Sequence, residues 1–284
     1  MTTTNTIKTV LLLGLLSAML LFAGEAFAGR NGLYMGLGLA VLMNFSGYFF
    51  SDRIALASYG AQPVTEQENP EIYRRVAPIV QSVCQRMSLP MPRLWIINQE
   101  SPNAFATGRN PQHASVAFTI GILRVMEDRE IEGVVAHEMG HVLHRDILIS
   151  SVAATIAAAI MFISRMAFWF GGASDEDDRG GGNAIAGLLM MILGPIAAML
   201  IQMAISRSRE YSADEASAKY TGAPTELISA LQKLDTYSKR IPMQADPSTA
   251  HLFIVKPFTG QWLGNLFSTH PSTEDRIARL RQMR

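Results

Sequence analysis

One cysteine, Cys84, stands among 284 residues. A single thiol excludes an intramolecular disulfide and a cysteine-built zinc cluster. Its place between Val83 and Gln85 in a helical pattern marks a small buried hydrophobe rather than a reactive thiol. Charge is also scarce. Charged residues make up 17% of the chain, against roughly 25% in ordinary soluble domains. The 24 basic and 24 acidic residues cancel to a formal net charge of zero, so no global field draws the chain to nucleic acid, and none is expected as a partner. No internal repeat is visible, which excludes a solenoid or propeller. What replaces the missing charge is apolar: 49% of the residues are hydrophobic, a share that asks for membrane segments.

Those residues collect in four runs. Residues 9–22 and 33–50 are almost wholly apolar, with Gly29, Arg30, Asn31 and Gly32 between them. Each reaches the roughly 20 residues needed to cross a bilayer once its small and polar ends are counted. The pair is expected to be a transmembrane hairpin, 1–50. Ala26-Phe27-Ala28 also fits a signal-peptide cleavage site, and a secreted soluble enzyme would follow from it. Residues 148–170 and 185–205 predict a second hairpin, 148–205, kinked at Pro195. The acidic, glycine-rich stretch 171–183 forms its outer loop. Lys/Arg bias places 51–147 and 206–284 in the cytoplasm, as two parts of one catalytic domain. The expected fold is therefore mainly α with a small β-sheet, an α+β domain joined to about four transmembrane helices.

Within the polar part, Ile72, Val76, Ile79, Val80 and Val83 give residues 71–87 a helical apolar face. Residues 93–98 and 114–120 are β-like, and 103–108 fits a third short strand. A small sheet beside a catalytic helix presents an edge, and an exposed edge can hold an extended peptide by main-chain hydrogen bonds. Asn103, Ala104, Phe105 and Ala106 are the candidate substrate strand, although a structural hairpin fits the same spacing.

The chemistry lies in His137-Glu138-Met139-Gly140-His141. On a helix the two histidines differ by a net rotation of about 40° and a rise of about 6 Å, so their imidazoles share one face and can hold one ion. Glu138 lies about 100° around and flanks that face. This is the spacing of zinc-dependent hydrolases, in which two imidazoles bind the metal and the glutamate is the general base. The zinc helix is expected over 128–146, with Asp128 as N-cap. Ile131, Val134, Val135 and Val142 form its buried side, and His144 and Arg145 close its end.

Catalytic zinc usually takes three protein ligands. Glu210 and Asp214, four apart in a helical stretch, share a face, so one can ligate while the other orients a histidine. That face reaches the histidines only if the chain between crosses the membrane an even number of times. Two spans satisfy this.

The zinc motif, the apolar spans and Arg209-Glu210-Tyr211-Ser212-Ala213-Asp214 resemble the HtpX membrane metalloproteases, relatives of the CAAX prenyl endopeptidases. The similarity extends to Asn103-Ala104-Phe105-Ala106-Thr107-Gly108, to Ala250-His251-Leu252-Phe253-Ile254, and to Ser268-Thr269-His270-Pro271 with Arg276. It covers essentially the whole chain. Ser272 stands where the family often repeats proline, and serine suits the start of the last helix. The resemblance implies that His137, His141 and Glu210 bind one Zn²⁺ per chain, that Glu138 is the base, and that Asp214 supports the site. It also places His270 beside the zinc, where a donor can stabilise an oxyanion; Arg276 is a supporting partner, and His251 reads as packing. The function it implies is quality control of membrane or misfolded proteins at the cytoplasmic side of the bacterial inner membrane. A non-catalytic membrane scaffold or transporter and a prenyl-protein protease are the alternatives.

Overall fold

The computed structural model describes residues 2–149, 152, 156, 207–240 and 271–283. The rest of the second pair of apolar runs, the loop 171–183, and the segment holding His251 and His270 lie outside the described residues.

Helix α1 (Thr2–Phe49) breaks at Ala28 and Gly29, where Gly29 takes φ 55°. The break folds it into two limbs, and Ile7–Glu25 and Ala28–Phe49 are each long and apolar enough to cross a membrane. A Cβ on Gly24 or Gly32 would collide with the backbone of the other, and one on Gly36 with that of Leu20, so glycine lets the limbs touch backbone to backbone. Asn44 Nδ2 then donates across the seam to Ser17 Oγ at 2.8 Å and to the Leu13 carbonyl at 3.3 Å. The two limbs pack as a helical hairpin, and its turn is tighter than the Gly29–Gly32 spacing suggests. Leu12, Leu16, Leu20 and Ala40 form a separate buried cluster with Ile149, Val152 and Ile156.

After α2 (Ser51–Ser58) come β1 (Gln62–Pro63), α3 (Pro70–Met87), β2 (Arg93–Ile97) and β3 (Ala104–Gly108). A 3₁₀ turn (Pro111–His113) leads into β4 (Ala114–Thr119), α4 (Ile120–Val125) and α5 (Asp128–Leu143). Then follow α6 (Arg207–Thr221), α7 (Pro224–Arg240) and α8 (Thr273–Arg281). The sheet order is β1-β2-β4-β3, with β2 and β4 parallel and the other pairs antiparallel. Strand alternation sorts its residues. Leu94, Ile96, Ala104, Ala106, Val116 and Phe118 face the main core under α3, α5, α6 and α7. Ile97, Phe105 and Ala117 face Ala55 and Leu56 of α2. Cys84 is buried in the main core, where burial pushes its thiol up to about 11.

Local signals set the ends of the helices. Ser272 Oγ accepts from Asp275 N at 3.0 Å and starts α8. Gly222, at φ 67°, stops α6. Helix α5 starts at Asp128 as the sequence suggests, but Glu127, not Asp128, is its N-cap, and the Glu127 N–H is taken by Glu130 Oε2 at 2.8 Å. It also ends at Leu143 rather than 146.

The buried side of α5 is wider than an apolar stripe. Glu130 is itself buried and binds Lys233 Nζ of α7 at 2.7 Å and Ser229 Oγ at 2.6 Å. Burial raises its pKa, but the bonds to Lys233, Ser229 and the Glu127 N–H outweigh this and hold it below the ordinary glutamate value. Gly133 and Gly140 allow close packing. A Cβ on Gly133 would sit 2.9 Å from Leu227 N, and one on Gly140 3.1 Å from Ala213 Cα. Ser217 Oγ bonds the Gly133 carbonyl at 2.8 Å. This close crossing of α5 and α6 is what carries Glu210 to the histidines.

Candidate active site

His137 and His141 project from α5 toward Glu210 on α6, and one ligand atom from each lies within 4.8 Å of the others. The orientation of each ring is set from behind. His137 Nδ1 is 2.9 Å from Asp214 Oδ1, and its Nε2 is 3.7 Å from Glu210 Oε2. His141 Nδ1 faces Asp146 Oδ2 at 3.5 Å, and its Nε2 is 3.5 Å from Glu210 Oε1. Both Nδ1 atoms are therefore held by carboxylates, and both Nε2 atoms converge on the third. Tetrahedral ligands on metal bonds of about 2.0–2.1 Å would stand roughly 3.4 Å apart, close to the two Nε2–Glu210 separations.

Asp146 is the site residue that sequence reasoning missed. Arg145 adopts φ 59°, and the turn after α5 closes with Asp146 N on the His141 carbonyl at 2.9 Å and Arg145 N on that of Val142 at 3.1 Å. These are the two bonds of a Schellman turn, made here without glycine. The chain doubles back and sets the Asp146 carboxylate against the ring of His141. A carboxylate five residues after the second histidine was the available signal.

Arg276 of α8 is 2% exposed. It grips Asp214 with two bonds, Nη2 to Oδ1 at 2.6 Å and Nε to Oδ2 at 2.9 Å. Nη1 is 3.6 Å from Glu210 Oε2, and Nη2 lies 3.3 and 3.4 Å from the two ring nitrogens of His137. Burial would raise the Asp214 carboxyl, but the Arg276 charge and the bonds from His137 and Arg276 win and hold it at about 2. The same pairing raises Arg276 above its ordinary value against its burial. Arg209 is buried too; burial lowers its pKa despite the charges of Asp146 and Glu210.

Glu138 Oε2 accepts the Ala106 N–H of β3 at 2.8 Å. Its pKa is raised by burial, and by Glu210, against the lowering influence of His137, His141 and that hydrogen bond. Strand β3 is the edge strand, as the sequence suggests, and pairs with β4 in a hairpin. It is not an exposed edge. Asn103, Ala104, Phe105 and Ala106 are all buried, with α5 joined to the strand through Glu138. His270 lies outside the described residues.

The charges provide a second test of metal binding. Glu138, Glu210, Asp214 and Asp146 are buried together with Arg209 and Arg276. Among the described residues, four carboxylates face two guanidinium groups, an excess of negative charge in a low-dielectric interior that is costly unless something neutralises it. A divalent cation would balance the site. Burial pulls the His141 imidazolium down, but Asp146, Glu210 and Glu138 overcome this and raise it to about 9, the mark of a site short of positive charge.

A two-histidine, one-carboxylate donor set on crossing helices, with a glutamate beside it, defines a metallopeptidase. Residues 66–284 match the model of peptidase family M48, and the chain belongs to that family. It is 52% identical over 280 residues to a protease HtpX homolog of Desulforapulum autotrophicum, covering 98% of this chain and 89% of the relative. To the protease HtpX homolog of Thermodesulfovibrio yellowstonii it is 52% identical over 282 residues, 98% of each chain. Among solved structures, the crystal structure of S. mikatae Ste24p matches with a TM-score of 0.51 at 18% identity, over 98% of this chain and 65% of that one. That likeness concerns the fold alone. The protein is a membrane-associated metalloprotease, which sets aside the non-catalytic scaffold.

Proposed function

We propose that the chain holds one Zn²⁺ through His137 Nε2, His141 Nε2 and the Glu210 carboxylate, and cleaves peptide bonds of membrane or misfolded proteins. The observation that carries this is the convergence of the two Nε2 atoms on Glu210 while both Nδ1 atoms face carboxylates. When bound, zinc supplies Lewis acidity to the scissile carbonyl and to water. Glu138 takes the proton of the attacking water and returns it to the leaving amine. The Ala106 N–H holds Oε2, which fixes the carboxylate and leaves Oε1 free of that bond to face the water. The raised pKa brings the carboxylate nearer the range in which one group can both accept and release a proton. Asp214 and Asp146 orient the histidines, and Arg276 fixes Asp214 and Glu210. His270 serves the oxyanion, as the family resemblance implies.

The division into a hairpin, 1–50, a split catalytic domain, 51–147 with 206–284, and a second hairpin, 148–205, follows the same reading. Ile149, Val152 and Ile156, at helical spacing, are buried against Leu12, Leu16 and Leu20 of the first hairpin, which supports a third span beside it. Lys/Arg bias then puts the site at the cytoplasmic face of the inner membrane, where membrane proteins are within reach.

The test pairs metal analysis with cleavage of casein and of a membrane protein, using the full chain in detergent. Glu138→Gln is expected to keep its zinc and lose about 10²–10⁴-fold in turnover. Glu210→Ala is expected to lose both metal and activity. Full zinc and activity in Glu210→Ala would refute the ligand set, and cleavage by zinc-loaded Glu138→Gln at the wild-type rate would refute the base.

A further inference from the structure

Where the second limb of α1 meets the catalytic domain, a cavity of about 180 Å³ opens, roughly the volume of six waters. Its wall on the membrane side is Phe45, Phe49 and Phe50; its other walls carry Arg53, Arg93 and Arg109. The positive charges are not equally committed. Arg93 pairs with Asp52, a buried carboxylate that is thereby neutralised. Arg53 and Arg109 have no carboxylate partner among the described residues. Arg53 lies over the Phe50 ring, 5.6 Å from its centroid, and Arg109 over Phe49 at 5.1 Å. Arg109 Nη2 also donates to His113 Nε2 at 3.0 Å, while His113 Nδ1 bonds Asn110 Oδ1 at 2.7 Å. An arginine cannot accept, so this chain fixes the His113 tautomer and steadies the guanidinium at the mouth of the pocket.

Two guanidinium groups held on aromatic faces beside a concave space, with no anion of their own, suit a phosphate, which arginine binds through paired N–H donors. The position selects the source. Val41, Phe45 and Phe49 fall at successive turns of the candidate span Ala28–Phe49 and are all exposed, so an apolar stripe runs from the pocket along the limb. A phosphate at the arginines with an acyl chain along that stripe is a phospholipid; two guanidinium charges without a carboxylate among the described residues favour a net anionic headgroup over a zwitterionic one, and aromatic rings at this depth are the usual interface anchors. We propose that this junction is a binding site for the headgroup of an anionic phospholipid, which fastens the catalytic domain to the bilayer surface. It is independent of the zinc ligands and of the reaction.

The experiment measures binding of short-chain phosphatidylglycerol, short-chain phosphatidylcholine and inorganic phosphate to the full chain in a non-ionic detergent by calorimetry. Arg53→Gln, Arg109→Gln and their double variant are compared with wild type. Phosphatidylglycerol is expected to bind tightest, with affinity falling about ten-fold for each arginine removed and only a small change in melting temperature, since neither arginine holds an ion pair among the described residues. Phe49→Leu keeps the span apolar and removes the ring beneath Arg109; it is expected to weaken phosphatidylglycerol by less than either arginine change. Equal affinity for phosphatidylcholine would overturn the charge argument. Inorganic phosphate binding as tightly as the lipid would overturn the lipid assignment, and an unaffected double variant would overturn the site.

Discussion

Asp146 and Asp214 perform the same service for the two histidines at different ranges. The Asp214–His137 contact, at 2.9 Å, is a full hydrogen bond, backed by the two bonds from Arg276. The Asp146–His141 contact is long, at 3.5 Å. Removing such a partner typically costs 10–100-fold in metal affinity, and the distances rank the two. Asp214→Ala is expected near or beyond the upper end, because it also leaves the Arg276 guanidinium buried without its counter-charge. Asp146→Ala is expected near the lower end, with Asp146→Asn intermediate because an amide oxygen can still accept from Nδ1. Competition with a calibrated chelator gives the three affinities. Zinc binding by Asp146→Ala at the wild-type level would show that the turn, not its carboxylate, sets the ring.

Helix α5 works because two of its positions have no side chain. Gly140→Ala puts a Cβ within 3.1 Å of Ala213 Cα and Ala216 Cβ, so α6 must move off by a few tenths of an ångström and take Glu210 with it. Overpacking of this kind costs about 1–3 kcal/mol, of which alanine's better helix propensity returns up to about 1 kcal/mol. The variant is expected to melt lower and to retain less zinc; an unchanged melting temperature and full zinc would show that the crossing has slack. The elements themselves are legible in the sequence: periodicity marks α3, the β-branched runs mark β2 and β4, and Gly222 and Ser272 mark helix ends. What is not legible depends on contacts distant in sequence. Asp128 is the residue type that suits an N-cap, and it is the reach of Glu130 back to the Glu127 N–H that moves the cap to Glu127. The burial of β3 follows from its bond to Glu138, 32 residues on. Asp146 escapes notice because a left-handed Arg145 is not a residue-type signal, whereas the pair Glu210 and Asp214 is visible from its own spacing.

The formal charges of the whole molecule cancel, yet negative charge collects where α5 and α6 cross, and that ties global stability to the ion. Once a chelator strips the metal, protons are the remaining counter-charge. His141 shifts from 6.5 to about 9, and a group with a raised folded pKa stabilises most below its unfolded value and loses that contribution as pH rises through the folded one. The stripped protein is therefore expected to be most stable below pH 6.5 and to lose melting temperature progressively up to about pH 9, while the zinc-loaded protein stays flat over that window. Thermal melts of both forms across the range check this; parallel curves would show that the ion does not balance the site's charge.

The split of the donor set between α5 and α6 also has a consequence during synthesis. A nascent chain that has emerged as far as Leu143 displays both imidazoles and the glutamate, but it lacks Glu210 and Asp214, and Arg276 arrives later still. On the proposed ligand set such a chain cannot grip its ion firmly, whatever zinc surrounds it. The enzyme is thus latent while it is being made, because the order of translation withholds the third donor until α6 has been synthesised.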